Sequence, residues 1–410
     1  MSRALAVLAV VSLAAAGCNG TTGNGSGNGS GGTGGTGGSG GNTVTGGSGA
    51  PSPLGTLWIG GSGSLTPADL TDAGPSPSFG QTCLPPGYTS PDPVDGVEVV
   101  DGHGNLWAQF PDGTVGSGNT APIFMWSASQ LASCASNPPA ATYPLTDTVY
   151  CGGDGSGCEP FFSALAFDSA GNLWGTESDT NSIFVYRASD LAGGGQALTA
   201  AAIAPGQQCG PLDVICAPIG LAFDSAGSLW IGNGYSVMVY TAATQSGILA
   251  GAAGAPPADL LLTNSDALTY DAGARGGYYT HYTYNYLAFD RSGDLWATVY
   301  NAQGNIEQQI VEFSAAQLAN LATDSTPTPV LTVTESSFQQ GHAFLGWQAI
   351  AFDAEGNLWA GASMFMPNLY RFSPGSLAHG GLPDITLTVP GDPSLSLAFD
   401  PIPPGLPLRP

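Results

Sequence analysis

Leu165-Ala166-Phe167-Asp168-Ser169-Ala170-Gly171-Asn172-Leu173-Trp174 is the stretch that decides the fold, because the chain repeats it. Close copies are built around Asp224 and Trp230, Asp290 and Trp296, and Asp353 and Trp359, and a degenerate fifth runs from Asp101 to Trp107. In all five the Trp lies six residues after the Asp and a Gly three after it, at Gly104, Gly171, Gly227, Gly293 and Gly356. Self-similarity of this kind marks a repeat architecture. An apolar run ending in Asp, a turn with Gly and a second apolar run make a β-hairpin. The carboxylate accepts backbone N–H bonds within the turn, and Gly takes the positive φ that closes it. These Asp residues are therefore expected to be structural, with Leu and Trp burying area between neighbouring sheets.

Working outward, each hairpin is followed by a third apolar run, such as Ile183-Phe184-Val185-Tyr186 or Ile123-Phe124-Met125-Trp126. A recurring short turn comes next, Ala188-Ser189-Asp190-Leu191 in one copy, with counterparts ending at Leu131, Leu318 and Leu377. A fourth run then appears, as in residues 329–333 and 384–389. Four antiparallel strands per repeat make one propeller blade. The chain ends set the count: Leu397-Ala398-Phe399-Asp400 is a first strand without its Leu-Trp partner, and Leu57-Trp58 is a second strand without its Asp. Joined, they complete one blade and remove an open sheet edge. Residues 54–410 are thus expected to form an all-β, six-bladed propeller of four-stranded antiparallel blades, its ring closed by the N- and C-terminal strands. The blades are long, with Asp101 to Asp400 spaced near 60 residues apart, so the extra length falls in loops.

The hairpin pattern resembles NHL-repeat and regucalcin/gluconolactonase-like propellers, and Asp-x-x-Gly-Asn-Leu-Trp is similar to the periplasmic propeller repeats of two-component sensors. The resemblance implies the fold and leaves the activity open, because such propellers host unrelated chemistries. Hydrolases of the gluconolactonase-like family hold a metal with Glu, two Asn and Asp at the channel mouth. Here only Glu159 followed by Pro160 resembles a part of that pattern, and no Asn-Asp set corresponds to the rest. Propeller lyases resembling the streptogramin-degrading enzymes use His and Glu bases.

The N-terminus carries Arg3, an apolar run from Ala4 to Leu13 and small residues before Cys18, the physical parts of a secretory signal. That run is too short to span a bilayer. Ala15-Ala16-Gly17-Cys18 resembles a bacterial lipobox, which implies lipidation of Cys18 and removal of residues 1–17 as a signal peptide. Asn19 after the Cys implies, by the same resemblance, outer-membrane sorting, so the expected location is exported and lipid-anchored. Residues 18–53 are almost wholly Gly, Ser, Thr and Asn and cannot bury enough apolar surface to fold. They are expected to be a disordered tether with an end-to-end distance of about 30–35 Å.

Once Cys18 is lipidated, Cys83, Cys134, Cys151, Cys158, Cys209 and Cys216 remain, an even number suited to disulfides in an exported protein. Cys151–Cys158 and Cys209–Cys216 share a spacing of seven and are expected to staple loops, leaving Cys83 and Cys134 for each other by elimination. A formal charge of -24, with 6 Arg and no Lys against 30 carboxylates, argues against nucleic acid as a partner. It suits solubility and could attract divalent or organic cations.

In a propeller, the loops from strand four to strand one and from strand two to strand three share one face around the central channel, and ligands use that face. It would receive Glu159, the stretch Tyr278-Tyr279-Thr280-His281-Tyr282-Thr283-Tyr284-Asn285, and residues 342–347. From the second loop set it would receive Glu177, Asn233, Asn301 and residues 364–367. Four Tyr and one His within eight residues suit stacking on sugars or apolar ligands. The candidate ligand-binding set is therefore Tyr278, Tyr279, His281, Tyr282, Tyr284, Asn285, His342, Trp347, Glu159 and Glu177. His281 and His342 with Glu159 and Glu177 could act as acid and base or hold a divalent cation such as calcium. His103 and His379 fall on the opposite face. The chain has no phosphate loop, nucleophile elbow or metalloprotease helix. The leading expectation is a membrane-tethered extracytoplasmic recognition or scaffold module, acting through its channel-face loops on a protein, glycan or small molecule. The alternative is a metal-dependent lactonase-like hydrolase or a lyase.

Overall fold

The computed structural model describes residues 55–59, 63–65, 70, 83–85, 96–110, 122–136, 138–145, 161–178, 181–196, 198, 201–203, 215, 217–234, 236–251, 256–263, 282–301, 307–334, 346–363, 368–379, 381–389 and 396–400. They form six antiparallel sheets in a ring, a six-bladed β-propeller. Blade 1 holds β3 (Val97–Val100), β4 (Leu106–Gln109), β5 (Ile123–Trp126) and β6 (Ala141–Tyr143). Blade 2 holds β7 (Ala164–Phe167), β8 (Leu173–Glu177), β9 (Ser182–Tyr186) and β10 (Ala201–Ile203). Blade 3 holds β11 (Pro218–Phe223), β12 (Leu229–Asn233), β13 (Ser236–Tyr240) and β14 (Leu260–Thr263). Blade 4 holds β15 (Tyr282–Phe289), β16 (Leu295–Asn301), β17 (Glu307–Phe313) and β18 (Leu331–Thr334). Blade 5 holds β19 (Gly346–Phe352), β20 (Leu358–Ser363), β21 (Asn368–Phe372) and β22 (Ile385–Thr388). Blade 6 joins the chain ends, with β23 (Leu397–Asp400) inside, then β1 (Thr56–Ile59) and β2 (Gly63–Leu65), three strands among the described residues. The expected leader and tether, residues 1–53, lie outside the described residues, as do Cys18, Cys151, Cys158, Cys209 and Cys216.

Each hairpin turn is locked by its Asp. In blade 2, Asp168 Oδ1 accepts from the backbone N–H groups of Ala170 and Asn172, both at 2.9 Å. Its Oδ2 accepts from Asn172 Nδ2 at 2.8 Å and from Trp174 Nε1 at 2.9 Å. The same bonds recur at Asp101 and Asp353. Asp224 and Asp290 make the two backbone bonds and the Trp bond, with Ser228 and Asp294 standing where the others have Asn. Gly171, at φ +81°, closes the turn by donating its N–H to the Asp168 carbonyl at 3.0 Å. The carboxylate thus satisfies the buried indole N–H that a large hydrophobic side chain would otherwise carry unpaired into the core.

The lock also reaches the outer part of its blade. Asn172 Oδ1 accepts from the N–H of Ala188, the first residue of α1 (Ala188–Leu191), at 2.9 Å. Asn105 and Asp294 do the same for Ala128 and Ala315. The short turn expected after strand three is a turn of helix, α1 in blade 2, α3 (Ala315–Leu318) in blade 4 and α4 (Pro374–Leu377) in blade 5, whereas in blade 1 it is a plain turn followed by 3-10 turns over Leu131–Ser136 that break at Ser133. In blade 3 it lengthens to α2 (Ala242–Leu249). Ser314 caps α3 in a capping box with Gln317, and Ser373 caps α4 ahead of Pro374.

Ring closure follows the repeat's own register. Trp174 pairs with Ala166, Trp230 with Ala222, Trp296 with Ala288 and Trp359 with Ala351, each Ala standing two residues before its Asp. Across the chain ends, Trp58 of β1 pairs with Ala398 of β23, in the same register. A hydrophobic cluster fills every seam between neighbouring blades. The seam between blades 6 and 1 packs Trp58 and Ala398 against Val100, Leu106, Phe124 and Trp126. At this seam the Cys83–Cys134 disulfide is present, as elimination expected.

Candidate functional site

The six inner strands β3, β7, β11, β15, β19 and β23 contact one another in sequence around the axis and enclose a cavity of about 200 Å³. Its wall is built from equivalent positions of the repeat. Three residues before the hairpin Asp, the lining residues are Leu165, Leu221, Leu287, Ile350 and Leu397 in blades 2 to 6, and Glu98 in blade 1. The residue just before the Asp is Phe223, Phe289, Phe352 or Phe399 in four lining strands, and Val100 in blade 1. Among the described residues, the lining side chains are hydrocarbon apart from the Glu98 carboxylate, the Ser396 hydroxyl and the Tyr286 phenol.

Glu98 and Ser396 meet at the seam where the ring closes. Ser396 Oγ accepts from the main-chain N–H of Glu98 at 2.7 Å and donates to the Gly96 carbonyl at 3.4 Å. This lacing is made by the backbone of residue 98, so it does not depend on that residue's side chain. Glu98 is nevertheless only 6% exposed. It lies near the start of its strand, so it faces the end of the axis where chain arrives from the strand-four loops, away from the hairpin turns.

Comparable lacing runs round that end of the ring. Gln109 Oε1 accepts from the Phe162 N–H at 2.8 Å, and Thr176 Oγ1 donates to the Ile219 carbonyl at 2.6 Å. The Tyr284 N–H donates to the Gly234 carbonyl at 2.7 Å. Blades 3 and 4 approach most closely. A Cβ at either Gly220 or Gly232 would run into the Asn285 carbonyl, so glycine at both positions admits the β15 backbone. Register shifts interrupt β11 between Pro218 and Leu221, β15 between Tyr284 and Leu287, and β19 between Trp347 and Ala349. These bulges re-aim the first residues of three inner strands.

The expected site residues divide accordingly. Tyr278, Tyr279, His281, His342 and Glu159 lie outside the described residues. Tyr282 opens β15 opposite Asn301, and the partly buried Asn285 lies in that strand's bulge. Tyr284, 2% exposed, is core between blades 3 and 4, tilted against Phe313 with centroids 6.2 Å apart. Trp347, 3% exposed, packs edge-on to Tyr370 at 5.7 Å between blades 4 and 5. Glu177 ends β8 opposite Ser182, and Asn233 ends β12 opposite Ser236, equivalent places in successive blades and both buried. His103 and His379 are exposed, the former in the Asp101 turn, where its N–H donates to Asp101 Oδ1 at 2.8 Å. Among the described residues, no group of three or more His, Cys, Asp or Glu is arranged to hold a metal ion.

No protein-family model and no curated protein matches the chain. Solved structures do resemble it. Virginiamycin B lyase from Staphylococcus aureus is 13% identical over 76% of this chain and 75% of its own, with a TM-score of 0.38. Regucalcin from Agrobacterium tumefaciens is 15% identical over 72% and 74%, with a TM-score of 0.35. The extracellular domain of a one-component system from B. thetaiotaomicron is 16% identical over 69% of this chain and 30% of that one, with a TM-score of 0.40. Likenesses at this level carry no functional argument, and the site has to be judged on its own residues.

The residue that sequence reading passes over is Glu98. Its signal is positional, since it appears only when the six first strands are stacked on their Asp markers and one polar residue stands in a column of Leu and Ile. No helix among the described residues is long and apolar enough to cross a membrane.

Proposed function

We propose that this chain is an exported, membrane-tethered propeller that recognises a ligand or partner at the channel face of its axis. The observation that carries the reading is the axial cavity, an apolar concavity holding a few converging polar groups, which is the general form of a ligand site. The leader ending at Cys18 and the Gly-rich segment to residue 53 support export and tethering. A tether of about 30–35 Å would hold the ring clear of the lipid headgroups while leaving the channel-face loops accessible. Tyr278, Tyr279, His281 and Tyr282 would supply the aromatic rim of that face, with Glu159, Asn285 and His342 beside it. Tyr284, Trp347 and Glu177 would support it from within the blades.

Two experiments test the reading. Cys18→Ala should abolish palmitate labelling and move the protein from the membrane to the soluble fraction. Alanine substitution through residues 278–286 should weaken capture of whatever surface crosslinking recovers. Unchanged capture across that scan would remove the rim from the site. A stoichiometric divalent metal, together with lactonase or lyase turnover lost in Glu159→Ala or His281→Ala, would replace recognition by catalysis.

A further inference from the structure

We propose that the groove over the seam between blades 3 and 4, on the hairpin face of the ring, binds a neutral sugar unit whose hydroxyls donate to the Asp224 carboxylate. The site lies on the face opposite the channel loops and stands independently of the axial reading.

The hairpin locks are of two kinds. An ionised carboxylate accepts about four hydrogen bonds. Asp101, Asp168 and Asp353 each receive four: two from turn N–H groups, one from an Asn amide and one from the indole. These three acids are buried. Asp224 and Asp290 each receive three, because Ser228 and Asp294 stand where the Asn would be and neither supplies the amide donor. Both acids are half-buried, and both line the same groove. In blade 3 the place of the amide opens into it, since Ser228 is short and itself lines the groove.

The groove has a volume of about 330 Å³, larger than the axial cavity. About 150 Å³ of cavity accommodates benzene, and a hexopyranose has twice benzene's non-hydrogen atoms. The apolar lining is Trp230, Phe289, Leu260 and Leu318, with the Trp230 and Phe289 rings edge to face at 5.5 Å. The Ser225, Ser228 and Ser292 hydroxyls join the two acids in the polar lining. Aromatic and aliphatic surface beside carboxylates and hydroxyls matches a pyranose, which carries C–H bonds on its faces and hydroxyls at its edge. A neutral hydroxyl also reproduces the neutral amide donor of the complete locks. Arg291, bonded through Nη2 to the Ala354 carbonyl, belongs to the same lining and sets a positive charge beside the acids, so the site does not call for a cation.

The test is calorimetric titration of the purified full chain at pH 7, in EDTA, with the methyl glycosides of glucose, galactose, mannose and N-acetylglucosamine, and separately with calcium chloride without EDTA. Two variants are measured alongside, with thermal melts to establish that each is folded. Ser228→Asn supplies the amide found in blades 1, 2 and 5, and Ala319→Phe fills the groove. The expected result is saturable one-to-one binding of at least one glycoside, weakened about tenfold or more in both variants, a tenfold change being about 1.4 kcal/mol. Ser228→Asn should also melt at or above the parent temperature, and Ala319→Phe decides alone if Ser228→Asn does not fold. Failure of every glycoside to bind, or binding unaltered in the folded variants, would overturn the assignment. Unaltered binding that is lost instead on alanine substitution through residues 278–286 would move the sugar to the channel face and leave that reading standing. Calcium binding abolished by Ser228→Asn, without glycoside binding, would replace the sugar by a cation.

Discussion

At the hairpin end of the propeller, five Asp side chains make the same bonds to the same backbone positions and the same indole nitrogens. Along the axis, three residues before the marker Asp, the six inner strands present Leu or Ile five times and Glu once. Both regions come from one repeat, and the contrast separates two uses of a buried acid. The hairpin acids are surrounded by donors belonging to their own blade, so their partners are built in. Glu98 shares its place in the repeat with five hydrocarbon side chains. Repetition marks what the fold needs, and a departure at a buried position marks what the fold does not explain.

Blade 6 gives the sharpest way to break the repeating region. Its strands keep the common register, yet Trp58 Nε1 has no hydrogen-bond partner among the described residues. Removing residues 396–410 deletes β23, strips β1 of its inner neighbour and exposes the seams filled by Phe399 and Ala398. The expected outcome is loss of the single cooperative unfolding transition, seen by calorimetry, because nearest-neighbour interfaces carry the stability of a repeat ring. An unchanged melt would mean that the ring does not depend on closure by these strands.

A smaller effect is expected at the close approach of blades 3 and 4. Gly232→Ala forces a methyl group against the Asn285 carbonyl and should cost about 1–3 kcal/mol in denaturant melts. Gly227→Ala probes a different constraint, the left-handed turn at φ +80°, with open space around the added methyl. The two together separate crowding at a seam from backbone strain in a turn.

The smallest effect should be a gain. Blade 4 carries Asp294 where blades 1, 2 and 5 have Asn, and its Trp296 Nε1 to Asp290 Oδ2 distance is 3.4 Å, against 2.8–2.9 Å in the other four locks. Burial, then Asp294 and Asp290, push the Glu312 carboxyl above its ordinary value of 4.5. An acid whose folded value is raised stabilises the fold fully below 4.5, and that contribution is lost as pH rises through the raised value. Asp294→Asn restores the amide donor and removes one of the charges acting on Glu312. It should stabilise the protein by about 0.5–1.5 kcal/mol. The gain should be larger at pH 7 than at pH 4, as read from melts at the two values.

The hairpin lock and the blade count are legible in the sequence because each depends on local spacing. Asp168, Gly171 and Trp174 are neighbours along the chain, and Asp400 and Trp58 are recognisable halves of the same unit. The Cys83–Cys134 bridge follows from counting partners. The helical turns after strand three are less legible, since one turn of helix in Ala188–Leu191 is too short to show a period. Tyr284 and Trp347 read as loop aromatics, but bulges in β15 and β19 turn these rings into the seams. Glu98 is hidden for a different reason. Its meaning depends on five residues scattered over the chain that become its ring only when the blades close.

The central contrast is tested most directly by measuring the thermal stability of Asp168→Ala and Glu98→Leu under identical conditions at pH 7. Asp168→Ala leaves Trp174 Nε1 and the turn donors without their acceptor and should lose about 2–5 kcal/mol. Glu98→Leu brings blade 1 into line with the other five and should unfold at or above the temperature of the parent protein. A loss in Glu98→Leu as large as that in Asp168→Ala would contradict the account, because it would make Glu98 a member of the framework.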